Sequence, residues 1–255
     1  MGGFLAGARL QARLIRADPD YLMPLATIPL FAVAFLAIVR HAGRDDLTAY
    51  ALLAPVLIAL WSLSLYVSGE IVEGDRWAGT LEPAVAAPSP FALVVLGRIV
   101  AVTAVSLVSF AEVWLVARFL FRTGFELHHP WVFFATLGAT VLAMAGTALL
   151  MSGLFVLARS ARTFQNSLSY PFYVLGGVIV PVAFLPDWLE PVSRAVFLSW
   201  SADLFRDSLT AGAVEGAVAR IATVLALGAA GFLAGRLALH WILRRVRAAG
   251  SLGHA

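Results

Sequence analysis

Long apolar runs recur along this 255-residue chain and constrain its fold more than any other feature. Each run holds about 20 residues, the length that an α-helix needs to cross about 30 Å of hydrocarbon. The runs cover residues 21–39, 48–68, 97–118, 131–157, 167–185 and 216–236. Backbone polar groups cannot stay unpaired in lipid, and no ten-residue alternating pattern appears. The chain is therefore predicted to be an all-α polytopic membrane protein with six transmembrane helices.

The composition supports membrane insertion, since 61% of the residues are hydrophobic, 13% are charged and the mean hydropathy is +0.89. All 18 basic side chains are arginine. A P-loop requires lysine, so any ATP-driven work must belong to another chain. The absence of cysteine from this sequence excludes disulfides and thiolate metal sites. The net charge is +3, but the arginines flank the apolar runs instead of forming a basic face, which argues against nucleic-acid binding.

Residues 1–20 are predicted to form an amphipathic helix that lies in the membrane interface. Three arginines recur there at helical spacing opposite three apolar side chains. The arginines are Arg9, Arg13 and Arg16, and the apolar residues are Phe4, Leu5 and Ile15. The segment is not predicted to be a cleavable signal, because a full span without an A-x-A site follows it. Residues 21–255 are predicted to form the transmembrane domain.

The distribution of arginines predicts that both termini are cytoplasmic. With that orientation the inside holds Arg9, Arg13, Arg16, Arg76, Arg98, Arg159, Arg162, Arg236, Arg244, Arg245 and Arg247, and the outside holds Arg40, Arg44, Arg118, Arg122, Arg194, Arg206 and Arg220. The inside set is the larger, as the positive-inside rule requires. The charged residues 69–90, between the second and third runs, then face the cytoplasm.

Residues 186–212, between the last two runs, are predicted to form an outer re-entrant segment. Pro186 and Pro191 break a continuous span, yet apolar residues recur on one side. A full crossing would place four charged side chains in hydrocarbon, which is costly. These are Arg194, Asp203, Arg206 and Asp207. Short helices that lie on the outer leaflet or dip into it are therefore expected.

Two segments together resemble the membrane-domain subunits of type-2 ATP-binding-cassette (ABC) exporters. The first is EGDRWAGTLEPAVAAPSPFALVVLGR, residues 73–98, which is similar to the cytoplasmic loop after that family's second span. The second is residues 170–209, similar to the family's fifth span and the outer segment after it. The elements that carry this second similarity are the Gly-rich middle, Pro181, the Pro186-x-Trp188-Leu189 element and Arg206. The resemblance implies an outer gate built from Pro181, Pro186, Trp188, Leu189 and Arg206.

The resemblance also implies that residues 70–82 form the coupling helix, which receives ATP-driven motion from an ATPase subunit. The residues concerned are Glu70, Glu73, Arg76, Trp77, Gly79, Thr80, Leu81 and Glu82. An aromatic anchor with charged neighbours suits docking into a groove on a partner protein. The alternative is a solvated charged loop that only keeps the chain oriented. Pro83 departs from the family pattern and disfavours helix at the residue before it.

Four polar residues recur every three positions in the third apolar run and are candidates to line a substrate cavity. They are Thr103, Ser106, Ser109 and Glu112. An ionisable residue within a span is a functional candidate by default. The alternative is that the hydroxyls hold helices together and that Glu112 pairs with a polar group on another helix.

The remaining motifs are interpreted as structural. The histidine pair at 128–129 and the aspartate pair at 45–46 lack further ligands or a second acidic cluster, so neither a metal site nor a catalytic residue is predicted. Gly231 and Gly235 form a G-x-x-x-G, which predicts close helix packing within the chain or to a second copy. The glycine pair at 176–177 thins the fifth span, which also predicts close packing. Together with Pro171 and Pro181 it permits kinks, and flexibility of this span is a further hypothesis.

Together these features predict a permease subunit of an ATP-driven exporter, which moves a drug, an antibiotic or a lipid-like substrate outward by alternating access. The resemblance implies two ATPase subunits that carry ATP and Mg, a second membrane subunit that is identical or homologous, and the bacterial cytoplasmic membrane. This chain is expected to bind no cofactor and to be no enzyme. The alternatives are a haem-exporter subunit of cytochrome maturation, an intramembrane lipid-modifying enzyme and an ion-coupled secondary transporter.

Overall fold

The computed structural model describes residues 2–18, 22–77, 91–157 and 161–249, and this part of the chain is all-helical. The helices are α1 (Gly2–Ala17), α2 (Met23–Ala26), α3 (Ile28–His41), α4 (Thr48–Trp77), α5 (Phe91–Ser106), α6 (Val108–Leu120), α7 (Pro130–Leu157), α8 (Ala161–Leu175), α9 (Glu190–Arg194), α10 (Phe197–Leu209) and α11 (Ala217–Ala249). Short 3-10 turns lie at Asp45–Leu47 and Val182–Phe184. The predicted all-α fold class is confirmed.

Within the described ranges, five stretches are long and apolar enough to cross a membrane. They are Met23–His41, Asp45–Gly69, Ala92–Leu120, Pro130–Phe155 and Ala217–Trp241. These stretches match the first four predicted spans and the last one. The chain is therefore a multi-pass membrane protein.

The predicted fifth span, residues 167–185, does not form one continuous helix, which corrects that expectation. Helix α8 ends two residues before Gly177, whose φ of +62° favours glycine. The Gly177 amide donates to the Val174 carbonyl at 3.1 Å and the Val178 amide to the Tyr173 carbonyl at 3.0 Å, the two bonds of a Schellman helix end. With 15 residues, α8 is about 22 Å long. A sixth span thus stays a prediction.

Helix α4 lies at the centre of the bundle, where nearly all its side chains between Ala51 and Gly69 are buried. It contacts α3, α5, α6, α7, α8 and α10. Trp61 of α4 stacks on Phe172 of α8 with ring centroids 4.3 Å apart. A helix that is apolar on all sides is expected to be surrounded by other helices, and the sequence of α4 fits that position.

Small residues bring α11 close to α7. A Cβ atom at Gly235 would lie 2.6 Å from the Leu150 amide nitrogen, and one at Gly231 would lie 3.2 Å from the Thr147 amide nitrogen. The two glycines of the G-x-x-x-G therefore face another helix of the same chain. Close approach of backbones is the usual role of small residues between membrane helices.

Helix α1 packs along α5 instead of lying apart from the bundle. The backbones meet closely where Gly7 faces Val94 and where Gly97 faces Phe4. Arg98 Nε donates to Gln11 Oε1 at 3.0 Å, and both side chains are buried. Arg9, Arg13 and Arg16 all lie on the exposed side of α1. The position of α1 relative to the membrane surface stays a prediction.

Candidate functional site

The charged segment predicted to couple to an ATPase begins inside helix α4. The helix does not end with the apolar run at residue 68 but continues to Trp77, so the backbone of Glu70, Glu73 and Arg76 is helical. The other four predicted coupling residues, Gly79, Thr80, Leu81 and Glu82, lie outside the described residues. At 30 residues, α4 is about 45 Å long and leads from the centre of the bundle directly into this segment.

Two neighbouring helices hold α4 just before that segment begins. The side-chain amide Nε2 of Gln165 in α8 donates to the Leu65 carbonyl at 2.9 Å and to the Tyr66 carbonyl at 3.1 Å. The Ser152 hydroxyl in α7 donates to the Ser68 carbonyl at 2.8 Å. One turn of α4 is thereby tied to both α7 and α8.

The residues of the predicted outer gate lie in a chain of turns and short helices after α8. Pro181 precedes the 3-10 turn at Val182–Phe184, and the Pro186 carbonyl accepts from the Leu189 amide at 2.8 Å. Trp188 is 73% exposed. The short helices α9 and α10 agree with the expected helical segment, whereas its depth in the membrane stays a prediction.

Arg206 is the buried member of the predicted gate, with a side chain of which 5% is exposed. Its guanidinium donates from Nη2 to the Gly177 carbonyl and, at 3.3 Å, to the Val178 carbonyl. The central carbon of this guanidinium, Cζ, lies 3.8 Å from the ring centroid of Tyr50. Arg206 thus joins α10 to the turn that ends α8 and to the first turn of α4.

Acidic residues pair with three arginines, one each in α9, α10 and α11. Asp203 lies between two of them, 2.8 Å from Arg194 Nη1 and 3.6 Å from Arg206 Nη1. Asp207 accepts from Arg220 at 2.6 Å. The four charged side chains expected to be costly in hydrocarbon are therefore in ion pairs with one another or with α11. Pairing of this kind makes burial of charge tolerable.

Arg206 keeps its charge in this setting. Burial lowers the pKa of its guanidinium from the ordinary value, while Tyr50, Asp203 and Asp207 act in the opposite direction. Arginine begins from so high a pKa that it stays protonated at neutral pH. This end of the bundle therefore contains a permanent buried cation, held by carbonyls, a carboxylate and an aromatic face.

We expect Tyr50→Leu to lower the free energy of unfolding by about 1–2 kcal/mol, because the Arg206 guanidinium loses the ring beneath it. Titration with sodium dodecyl sulfate in detergent micelles, followed by tryptophan fluorescence, measures this loss. The matched control is Tyr170→Leu, which removes an exposed tyrosine of α8. In a double-mutant cycle with Arg206→Met, an unchanged effect of Tyr50→Leu would show that the ring does not act through the cation.

Of the four polar residues predicted to line a cavity in the third span, three lie against other helices. Thr103, Ser106 and Ser109 are fully buried. Thr103 shares a hydrogen bond of 2.9 Å with Ser64 of α4, and the two serines donate to carbonyls of their own helical region. In this subunit the three hydroxyls face packed helices. Glu112 differs, because it is half-buried and its Oε2 has no hydrogen-bond partner within the described ranges.

The histidine pair fastens a loop to the end of α10. His128 Nδ1 lies 3.0 Å from the Leu209 carbonyl oxygen, and His129 Nε2 lies 2.8 Å from that of Gly212. Arg44 donates to Asp46 through two bonds of 2.8 Å. These contacts give both motifs a structural role.

Four residues of the site were not singled out for it by sequence reasoning. They are Tyr50, Gln165, Asp203 and Gly177, the last of which the sequence marks only as one of the two glycines in the middle of the fifth span. The i, i+3 spacing of Asp203 and Arg206 is a helical pairing signal that could have been recognised. Tyr50 and Gln165 carry no local signal, because their partners lie far away in the sequence.

A multi-pass helical bundle with a charged segment at one end of its central helix is the architecture of an integral membrane protein. The profile of the ABC-2 type transporter family matches residues 5–210, which include nearly all of α1 through α10. The chain therefore belongs to the ABC-2 type transporter family, as its motifs predicted. It is the membrane permease component of an ABC transporter. It lies in the bilayer and associates with an ABC ATPase. A search of curated proteins finds no match to the chain.

Proposed function

We propose that the chain is the membrane subunit of an exporter, which moves its substrate out of the cytoplasm or the inner leaflet. The observation that carries the proposal is the continuity of helix α4. This helix joins the charged segment at its last turns to Tyr50 and the buried Arg206 near its first turn. A displacement applied at one end of such a helix reaches the other end about 40 Å away.

In the proposed mechanism two ATPase subunits dock at residues 70–82 of two membrane subunits, one of which is this chain. The second subunit is identical or homologous. ATP and Mg bind to the ATPases, where hydrolysis takes place, and the membrane subunits alternate between inward-open and outward-open states. Residues 186–210 form the outer gate. Release of substrate then requires rearrangement of the contacts that Arg206 makes.

The proposed substrate is lipophilic or amphiphilic. An apolar groove of about 160 Å³ lies between α3, α4 and the segment after α8, beside the buried cation. Phe35, Ile38, Tyr50, Ile179 and Pro181 are among the residues that line it. A groove of this chemistry favours a hydrocarbon or aromatic group over a small ion.

The proposed setting is the bacterial cytoplasmic membrane, with both termini in the cytoplasm. Helices α3 and α11 support association with lipid or with a second membrane subunit, because much of their apolar surface is exposed. Leu30 of α3 and Leu237 of α11 are examples. A helix with large apolar side chains on its exposed surface needs lipid or another apolar protein surface against it.

The double variant Trp77→Ala, Glu82→Ala is expected to lose most of the bound ATPase, because it removes the aromatic anchor and an acid of the coupling segment. The measurement is co-elution and ATP hydrolysis after purification with the ATPase encoded next to this chain. Trp131→Ala is the matched control, since Trp131 is an exposed tryptophan at the opposite, predicted outer side. If the double variant binds and couples like the wild type, docking takes place elsewhere.

A further inference from the structure

Gln165 lies where α8 contacts α4, just before the charged segment begins. Its side chain is 6% exposed, and it reaches from the first half of α8 to the backbone of α4. The Leu65 and Tyr66 carbonyls that it binds already belong to the hydrogen-bond ladder of α4. A carbonyl oxygen has two lone pairs, so at Tyr66 the amide adds a link between helices beside the bond inside α4. The Leu65 carbonyl also accepts from the Ser68 hydroxyl of α4 at 2.7 Å, and the amide shares this oxygen with that hydroxyl.

The sequence of α4 leaves a space for this amide. A Cβ atom at Gly69 would overlap the Gln165 amide nitrogen and displace it. Glycine at this point of a helix lowers helical propensity, and the close approach of Gln165 accounts for its presence. Gly69 is also the last residue before the charged segment, which begins at Glu70.

The other end of α8 is tied to the outer segment. The Leu175 carbonyl accepts from the Ser193 hydroxyl of α9, and the Gly177 carbonyl accepts from Arg206 of α10. Helix α8 therefore contacts α4 near the charged segment at Gln165 and contacts the outer segment at its other end, about 15 Å further along its axis. Trp61 and Phe172 stack between these two ends.

We propose that Gln165 is a positioning residue that makes α8 follow the end of α4, so that motion of the charged segment reaches the outer segment through α8. This inference rests on the proposed function, because the motion comes from the ATPase. It adds a second route beside α4 itself. Without the Gln165 amide, α4 can shift while α8, Ser193 and Arg206 stay in place.

The lack of native cysteine permits a direct test, since two introduced cysteines can be spin-labelled without interference. Phe184→Cys, in the 3-10 turn directly before the outer segment, and Leu120→Cys at the end of α6 place both labels at exposed positions. The distance between the labels is measured in the full complex with its ATPase, first without nucleotide and then trapped with ATP and vanadate. We expect trapping to shift the distance in the otherwise wild-type chain.

The test variant is Gln165→Leu, for which we expect a clearly smaller shift, because only the route through α4 remains, while the ATPase stays bound and continues to hydrolyse ATP. A residue with only a structural role would lower thermal stability and leave the shift intact. Ser167→Ala is the matched control, because this exposed α8 hydroxyl bonds only to its own helix at Thr163. Gly69→Ala displaces the same amide from the α4 side and gives the test independently if Gln165→Leu does not fold.

The possible outcomes separate the role of Gln165 from the proposed function. A bound, active ATPase together with a normal shift in Gln165→Leu or Gly69→Ala would overturn the role of Gln165 alone. No shift on trapping of the wild-type background would also overturn it, because no motion would then reach the outer segment. Absence of the ATPase from the wild-type complex would overturn the proposed function, and this inference with it.

Discussion

Replacement of Arg206 with methionine is expected to lower the free energy of unfolding by about 3–5 kcal/mol, the usual cost of removing one partner from a buried ionic cluster. Two carbonyls at the end of α8 lose their donor, and Asp203 loses one of its two cations. Titration with sodium dodecyl sulfate in micelles, with tryptophan fluorescence as the signal, measures the change.

The control for this prediction is an arginine in an exposed pair. Arg44 binds Asp46 at 2.8 Å, but both side chains are more than half exposed. We therefore expect Arg44→Met to change the unfolding free energy by less than about 1 kcal/mol. Equal losses for Arg206→Met and Arg44→Met would show that the contacts of Arg206 do not hold α8 and α10 together.

Replacement of Gly146 with alanine is expected to lower the free energy of unfolding by about 1–3 kcal/mol, because overpacking forces closely packed elements apart. Its Cβ would overlap the Gly228 carbonyl of α11, which is backbone and cannot move aside as a side chain can. The same denaturation assay measures the change.

The control is on the same helix. Gly138 of α7 faces open space, with no atom within 4 Å of an added Cβ. Alanine favours helix over glycine, so Gly138→Ala is expected to leave stability unchanged or to raise it by up to about 1 kcal/mol. A gain from Gly146→Ala of the same size would contradict the close crossing of α7 and α11.

The apolar runs predicted most of the fold because hydropathy reports directly on the length of a span. It does not report on where a backbone breaks or continues. Residues 167–185 are apolar enough for a span, yet the Schellman end at Gly177 interrupts their helix. The charged residues from Glu70 onward end the apolar run, although the helix itself continues to Trp77. Both differences arise from backbone geometry, which mean hydropathy does not report.

The candidate site was predictable where a residue belongs to a motif. Arg206 was found from its place in the family pattern. Tyr50 and Gln165 were not, because their partners lie about 100 residues or more away and only tertiary packing brings them together. A glutamine in a polar stretch gives no sign that its amide will bind the backbone of another helix. Such contacts require the assembled bundle.

The composition of the intact complex tests the central claim most directly. The chain is expressed with the ATPase encoded next to it, purified in lipid nanodiscs and weighed by native mass spectrometry. We expect two membrane subunits, including this chain, together with two ATPase subunits. A chain that is recovered folded, in lipid and without any ATPase would contradict it.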